Sequence, residues 1–504
     1  MTAAISRWID DRLNPVVVKE LRQAVRSRFV MVLLMVYLLV QLVMMGIYLL
    51  ATDHTQASFY AGRTMFMFLE GVLLATCLLF VPGYVGFRLA AERSDINVDL
   101  VFITTIRPTS IIWGKFVSGL TLTVLLYSAS APFMVLTYLL RGIDIPSIAL
   151  VLGLNLLVIF AATQFALLIG AMNATRVLKG ILGIVMLGLL MATHGAVMGT
   201  SSGMIFFGVG GTLGTWDFWG PALGVLALGL GATGLFFFIA VAAIAPPSSN
   251  RALPVRVYTT GLWLVTLALA MTLSLNVTGE AMSMWLVTAG FVLALLMVGA
   301  GSERDALGIR IRRLAPRRAV VRLPVFLWCS GAAAGLLWCG LLLALTVAVG
   351  LLWEVFAPPT ALMHGLDEVT WAVAALGLYS LAYVLTAVTF RRLLLPRTVK
   401  TSVVAALTLM LAALGTVIPP LIAFFFDPMR WYDTTQGWML LNPMGAFVDP
   451  DDTAYRNMAL LVSGLWVVAM VLLNLRWLLG QWWQFRSDEA SLEEAKMEDD
   501  VAGT

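Results

Sequence analysis

Phe29-Val30-Met31-Val32-Leu33-Leu34-Met35-Val36-Tyr37-Leu38-Leu39-Val40-Gln41-Leu42-Val43-Met44-Met45-Gly46-Ile47-Tyr48-Leu49-Leu50-Ala51 runs without a single charged side chain. A helix rises 1.5 Å per residue, so this stretch is long enough to cross the roughly 30 Å hydrocarbon core of a bilayer, whereas a barrel strand needs only about ten residues. The rest of the 504-residue chain repeats the pattern: 60% of residues are hydrophobic and 12% charged, against about 25% charged in soluble domains. Too little polar surface remains to cover such a chain in water. The fold class is therefore all-α, a polytopic integral membrane protein whose spans are helices. The first run follows a polar segment and has no small-residue cleavage site, so it is expected to stay as a signal anchor. Cys77, Cys329 and Cys339 lie in apolar runs, where thiols act as small hydrophobes, and no disulfide framework is expected.

Working outward from 29–51, eleven further apolar runs fall at 66–88, 116–139, 147–172, 178–200, 218–245, 257–278, 282–301, 325–353, 369–390, 402–426 and 457–480. Lysine and arginine accumulate on the cytoplasmic side of spans, which tests the count. With the N-terminus inside and sides alternating, 28 of the 32 basic residues fall inside; Arg63, Arg141, Arg430 and Arg456 fall outside. One miscounted span would spoil that segregation, so twelve spans with both termini cytoplasmic are expected. The chain then divides into a cytoplasmic helix at 1–28, a six-span half at 29–245, a second at 246–480 and an acidic tail at 481–504.

Three segments outside the spans carry further information. In the first, Asn14 suits an N-cap and Pro15 the first helical position. Val18, Leu21 and Val25 share one face and Lys19, Arg22 and Arg26 another. This describes a basic amphipathic helix in the inner interface, either a mechanical elbow or a helix that simply follows the positive-inside rule. The second is 91–115, between spans two and three, where Glu92, Asp95 and Asp99 form one helical stripe and Ile96, Leu100 and Ile103 an adjacent one. Pro108 breaks that helix, and Thr109 or Ser110 suits the cap of the next. Such a helix could dock into a partner protein or lie on lipid. The third is the outer loop 427–456, with Trp431, Tyr432, Trp438 and Leu440 to Phe447, read as short helices dipping toward the membrane or as an aromatic belt.

Together these segments resemble the permease subunits of type-2 ATP-binding-cassette transporters. Asn14, Pro15, Lys19 and Glu20 match that family's elbow helix. Asp99, Leu100, Thr104 or Thr105, Pro108, Ser110, Ile112, Gly114 and Lys115 match its coupling segment. Leu441, Asn442 and Pro443 match a stretch before its last span. The resemblance is clearest over the first 140 residues and implies an exporter permease in a bacterial-type cytoplasmic (inner) membrane, driven by a separate cytoplasmic nucleotide-binding ATPase. Glu92, Asp95, Asp99, Arg107 and Lys115 would meet that ATPase; Asn14, Pro15, Lys19, Glu20, Arg22 and Arg26 would form the elbow, and Asn442 and Pro443 belong to the outer loop. It also implies a bilayer environment, room for a second permease chain, no nucleic-acid partner and no cofactor in this chain, ATP and Mg being held by the ATPase.

Permeases of that family commonly have six spans, and this chain reads as twelve. The connector within 302–324 begins Glu303-Arg304 as the earlier one begins Glu92-Arg93, which fits two fused halves; a six-span unit extended by unrelated spans is the other reading. A parallel repeat is also a common secondary-transporter design, the alternative function here. No Gly-x-x-x-x-Gly-Lys-Ser/Thr loop occurs, so the chain is not expected to hydrolyse ATP alone, and no nucleophile, His-Glu-x-x-His or acid–base pair marks an enzyme. His54, His194 and His364 are scattered. Glu70, near the outer end of span two, and His194 read as outer-leaflet polar contacts, and Gly331 to Gly335 as a helix-packing motif.

Overall fold

A computed structural model of the chain describes residues 15–51, 60–92, 107–140, 142–172, 176–246, 248–312, 315–316, 318–358, 361, 365–395, 399, 401–426, 437–448 and 453–485. All regular structure among them is helical. The helices are α1 (Pro15–Val25), α2 (Arg28–Ala51), α3 (Ala61–Glu92), α4 (Pro108–Leu139), α5 (Ile145–Ala171), α6 (Arg176–Phe207) and α7 (Trp216–Ile244). They continue with α8 (Ala252–Asn276), α9 (Glu280–Gly301), α10 (Ile309–Arg312), α11 (Ala319–Leu327), α12 (Ala332–Phe356), α13 (Leu366–Leu394) and α14 (Val403–Phe426). A 3₁₀ turn at Gly437–Leu441 and a short α15 (Gly445–Val448) precede α16 (Thr453–Gln484). Among the described residues, twelve helices are long and apolar enough to cross a membrane: α2 to α9, α12, α13, α14 and α16. The protein is a multi-pass, all-α membrane protein.

Contacts divide the chain into two compact units, Met1–Pro246 and Pro247–Thr504, with six of these helices in each. Within the first unit α3 packs on α4, α5 and α6, and α5 also packs on α6 and α7. Within the second, α9 packs on α12, α13 and α14, and α13 also packs on α14 and α16. Numbered by order of span, each unit thus pairs its second span with its third, fourth and fifth, and its fourth with its fifth and sixth. The two most enclosed spans are correspondingly α3 and α13. Met65, Phe66, Leu69, Leu73 and Leu78 of α3 form the first unit's core with Leu126 and Ile159. Leu286, Leu293, Cys339, Leu342 and Val373 hold the second. Without a hydrophobic drive between helices in lipid, close approach depends on small residues. A Cβ on Gly170 would stand 2.5 Å from the Gly86 carbonyl oxygen, so α3 and α5 touch backbone to backbone.

The outward faces are apolar. Met31, Met35, Leu39 and Leu42 along α2, and Leu461, Leu465, Val468 and Leu472 along α16, are exposed at helical spacing. Stripes of that length suit lipid and would be an aggregation liability in water.

Two sequence expectations change. The ninth span is not one helix over 325–353: the chain breaks between α11 and α12, and Gly331 occupies the N-cap of α12 in extended conformation. Gly335, further along α12, is the packing member of that glycine pair, its missing Cβ leaving room for Ala300. Neither Thr109 nor Ser110 is the cap of α4; Arg107 holds the N-cap position without a side-chain cap bond, and Pro108 follows at the first helical position, where its missing N–H leaves one fewer donor to satisfy. Glu70 lies nine residues, about 14 Å, inside α3 and is fully buried in the first unit, where it meets Asn155.

Candidate functional site

Each unit gathers charge at the end where the sequence concentrates its basic residues. In the first unit the organiser is α1. Its Lys19, Arg22 and Arg26 are exposed, as a basic face requires, but the helix has a third face that amphipathic reading does not separate: Val17, Glu20 and Ala24, one helical stripe, are each 3% exposed. That face packs on α4. Gly114 permits the approach, since a Cβ there would stand 2.7 Å from Val16 Cγ1.

Packing α1 on α4 carries a carboxylate inward, and the fold matches it. Lys115, 2% exposed, places Nζ 3.0 Å from Glu20 Oε1 and 2.8 Å from Glu92 Oε2. Arg88 lies 3.6 Å from the other Glu20 oxygen and donates to Tyr84 Oη at 2.8 Å and to Gln23 Oε1. Two cations and two carboxylates therefore fasten the elbow helix to the end of α3 and the start of α4. A buried carboxylate without a cation would cost several kcal/mol, which explains why Glu20 and Lys115 enter the interior together. Of the expected site residues, Glu20, Glu92 and Lys115 are thus brought together, with Lys115 enclosed rather than displayed. Arg107 is exposed at the start of α4. Asn14, Asp95, Asp99 and the rest of 93–106 lie outside the described residues.

The second unit builds its node on Arg256, near the start of α8, which the sequence offers only as one more loop charge. Its guanidinium, 2% exposed, meets both oxygens of Glu303 at 2.8 and 2.9 Å. It also donates to the carbonyls of Leu327 and Cys329 at 2.8 and 2.6 Å. Those carbonyls are freed by the break between α11 and α12. The remaining backbone of the break is satisfied in the same way. Gly331 N donates to Glu303 Oε2 at 2.6 Å, Ser330 N to Asn250 Oδ1 at 2.9 Å, and Ala333 N to Gln481 Oε1 at 2.9 Å. Non-helical backbone at membrane depth survives only where protein groups supply such partners. Further along the connector, Asp305 accepts from Trp477 Nε1 at 3.1 Å and pairs with Arg391.

At the opposite end of the second unit, the described part of the 427–456 stretch forms the 3₁₀ turn Gly437–Leu441 and the short α15. Three tyrosines hold three successive carbonyls: Tyr455 Oη donates to Met439 O at 3.0 Å, Tyr379 Oη to Leu440 O, and Tyr383 Oη to Leu441 O at 2.7 Å. Asn442 Oδ1 then accepts from Met444 N at 2.9 Å, an Asx turn that Pro443 follows into α15. Residues 427–436 lie outside the described residues.

Comparison with known protein families, with curated proteins and with solved structures finds no match. Among the described residues no group of three or more His, Cys, Asp and Glu side chains is arranged to hold a metal ion. The charged nodes contain no nucleophile–base pair, and their chemistry is mechanical: they fix helix ends to one another.

Proposed function

We propose that this chain is the permease subunit of a type-2 ATP-binding-cassette exporter in a bacterial-type cytoplasmic membrane, driven by a separate ATPase that holds ATP and Mg. What supports this reading best is the bond pattern of Lys115. It joins Glu20 of the elbow helix to Glu92, the last residue before the 93–106 segment. A movement imposed on that segment by a docked ATPase would reach α1, α3 and α4 through one ammonium group. Two six-helix units with matching internal packing agree with a reading in which one chain holds both halves of a permease. The same repeat suits a secondary transporter, the second reading, but that reading gives the elbow and its buried clasp no role.

Docking is tested with the full chain, tagged and recovered from its own membranes. Because Glu92 also holds the internal clasp, the docking variant is Asp95→Lys with Asp99→Lys, and the control is Asp449→Lys, Asp451→Lys and Asp452→Lys in the outer loop. Losing desolvated charge contacts costs about 2–5 kcal/mol, so the first variant is expected to lose a co-purifying Walker-motif ATPase more than tenfold while the control keeps it. Equal retention by both variants, or no ATPase with the parent chain, overturns the proposal in favour of secondary transport.

A further inference from the structure

Glu70 is 0% exposed and lies inside a spanning helix, and its buried neighbour Asn155 on α5 is 2% exposed. Asn155 Nδ2 donates to Glu70 Oε1 at 2.7 Å. The second oxygen of each group, Glu70 Oε2 and Asn155 Oδ1, is buried and makes no bond of good geometry among the described residues, with the buried Ser201 hydroxyl of α6 the other polar group facing Glu70. A carboxyl and a carboxamide are both planar, so one bond along an edge leaves the remaining two oxygens able to meet along the other. Both are acceptors, and two acceptors bind each other only through a hydrogen.

Among the described residues no lysine or arginine pairs with this carboxylate. None of the ion pairs among the described residues includes Glu70. Arg63, two turns away on the same helix face, is engaged with the carbonyls of Gly142 and Phe206. The titratable groups on the surrounding helices are Tyr37 on α2, Tyr127 on α4 and His194 on α6, with Cys77 on α3 itself. His194 Nε2 lies 3.2 Å from the Gly71 carbonyl oxygen, which requires that nitrogen to be its donor. An isolated charge at this depth is expensive, whereas a neutral pair with both bonds made is not.

We propose that Glu70 and Asn155 form a proton-binding site. One proton sits on Glu70 Oε2 and is donated to Asn155 Oδ1, while Asn155 Nδ2 donates to Glu70 Oε1. The resulting two-bond ring joins α3 to α5, the helix pair whose backbones touch at Gly86 and Gly170. This inference is independent of whether an ATPase drives the protein.

The test uses the full chain in lipid nanodiscs at neutral pH. The parent should show the infrared carbonyl band of a protonated carboxylic acid, and Glu70→Gln should lack it. That variant's amide N–H stands in for the carboxyl O–H, so its Tm should stay within about 2 °C of the parent, while Asn155→Leu, which strands Glu70, should lower Tm by about 4 °C or more. If Glu70→Gln yields no protein, Asn155→Leu carries the spectroscopic test alone, because the band must shift once its carbonyl loses the bond from Nδ2. A parent without the band, or a band unchanged in both variants, overturns the proposal and leaves an ionised Glu70 balanced by His194 or a bound cation.

Discussion

Glu92 and Glu303 stand at matching places, each closing the second span of its unit, yet they are held by different chemistry. Glu92 is 44% exposed and shares a lysine with a second carboxylate. Glu303 takes both its oxygens to one nitrogen of Arg256, Nη2, and accepts a backbone N–H as well, while the other terminal nitrogen, Nη1, holds two carbonyls. An ammonium is a compact charge whose three donors turn freely among acceptors, whereas a guanidinium is flat and fixed in direction. Lys115 can release Glu92 and remain neutralised by Glu20. Arg256 has no second acid among the described residues, and it also holds carbonyls that no helix satisfies. The same repeat position therefore carries an exchangeable clasp in one unit and a fixed rivet in the other.

The most damaging way to break that contrast is Arg256→Met. It leaves Glu303 without a cation and two carbonyls without a donor, and breaking a buried pair from one side costs about 3–5 kcal/mol. Loss of folded monomer in detergent is the expected result, with partial recovery on adding Glu303→Gln; an unchanged Tm would show that the node is not structural. Lys115→Met should cost less, about 2–3 kcal/mol, because Arg88 remains beside Glu20. Its effect is local: a cysteine placed at Ala24 on the buried face should label with maleimide at least tenfold faster once α1 loosens. Glu92→Gln in the same background should leave that rate nearly unchanged, and equal acceleration by both would erase the distinction between exchangeable and fixed. The finest probe is Gly114→Ala. The new methyl meets Val16, and overpacking of this kind costs about 1–3 kcal/mol. A lowered Tm restored by Val16→Ala would place the strain at the elbow; no restoration would place it elsewhere.

The spans were legible because each needs about twenty apolar residues and carries that requirement in its own sequence. The nodes were not, because their partners lie far apart along the chain. Nothing near Glu20 announces Lys115, although one trace was available: Glu20 is the sole acid among the basic residues of 15–28 and shares a stripe with Val17 and Ala24. Arg256 gave less warning, since a basic residue at the start of a span is what topology alone supplies. The break at Trp328 to Gly331 falls in a run that carries no charge, and the Ser330-Gly331 pair is too slight a dip to separate a break from a continuous span, so the side chains that satisfy its backbone reveal it. Residues 93–106, where the resemblance places docking, read as a helix in sequence and lie outside the described residues.

The tyrosine-held turn at Gly437–Leu441 has a consequence for how the second unit would register motion. Its carbonyls at Leu440 and Leu441 are bound from α13 by Tyr379 and Tyr383, and that of Met439 is shared between Tyr455 of α16 and the local N–H of Asn442. An α-helix of ordinary length keeps its shape when a neighbour shifts; a single 3₁₀ turn does not. Its order is therefore contingent on two helices staying together, much as a keystone is contingent on both flanks of an arch. Any separation of α13 from α16 at that end must break the tyrosine bonds from one side, Tyr455 on Met439 or the pair Tyr379 and Tyr383 on Leu440 and Leu441. Amide exchange in this short turn would be the earliest sign that the two had begun to part.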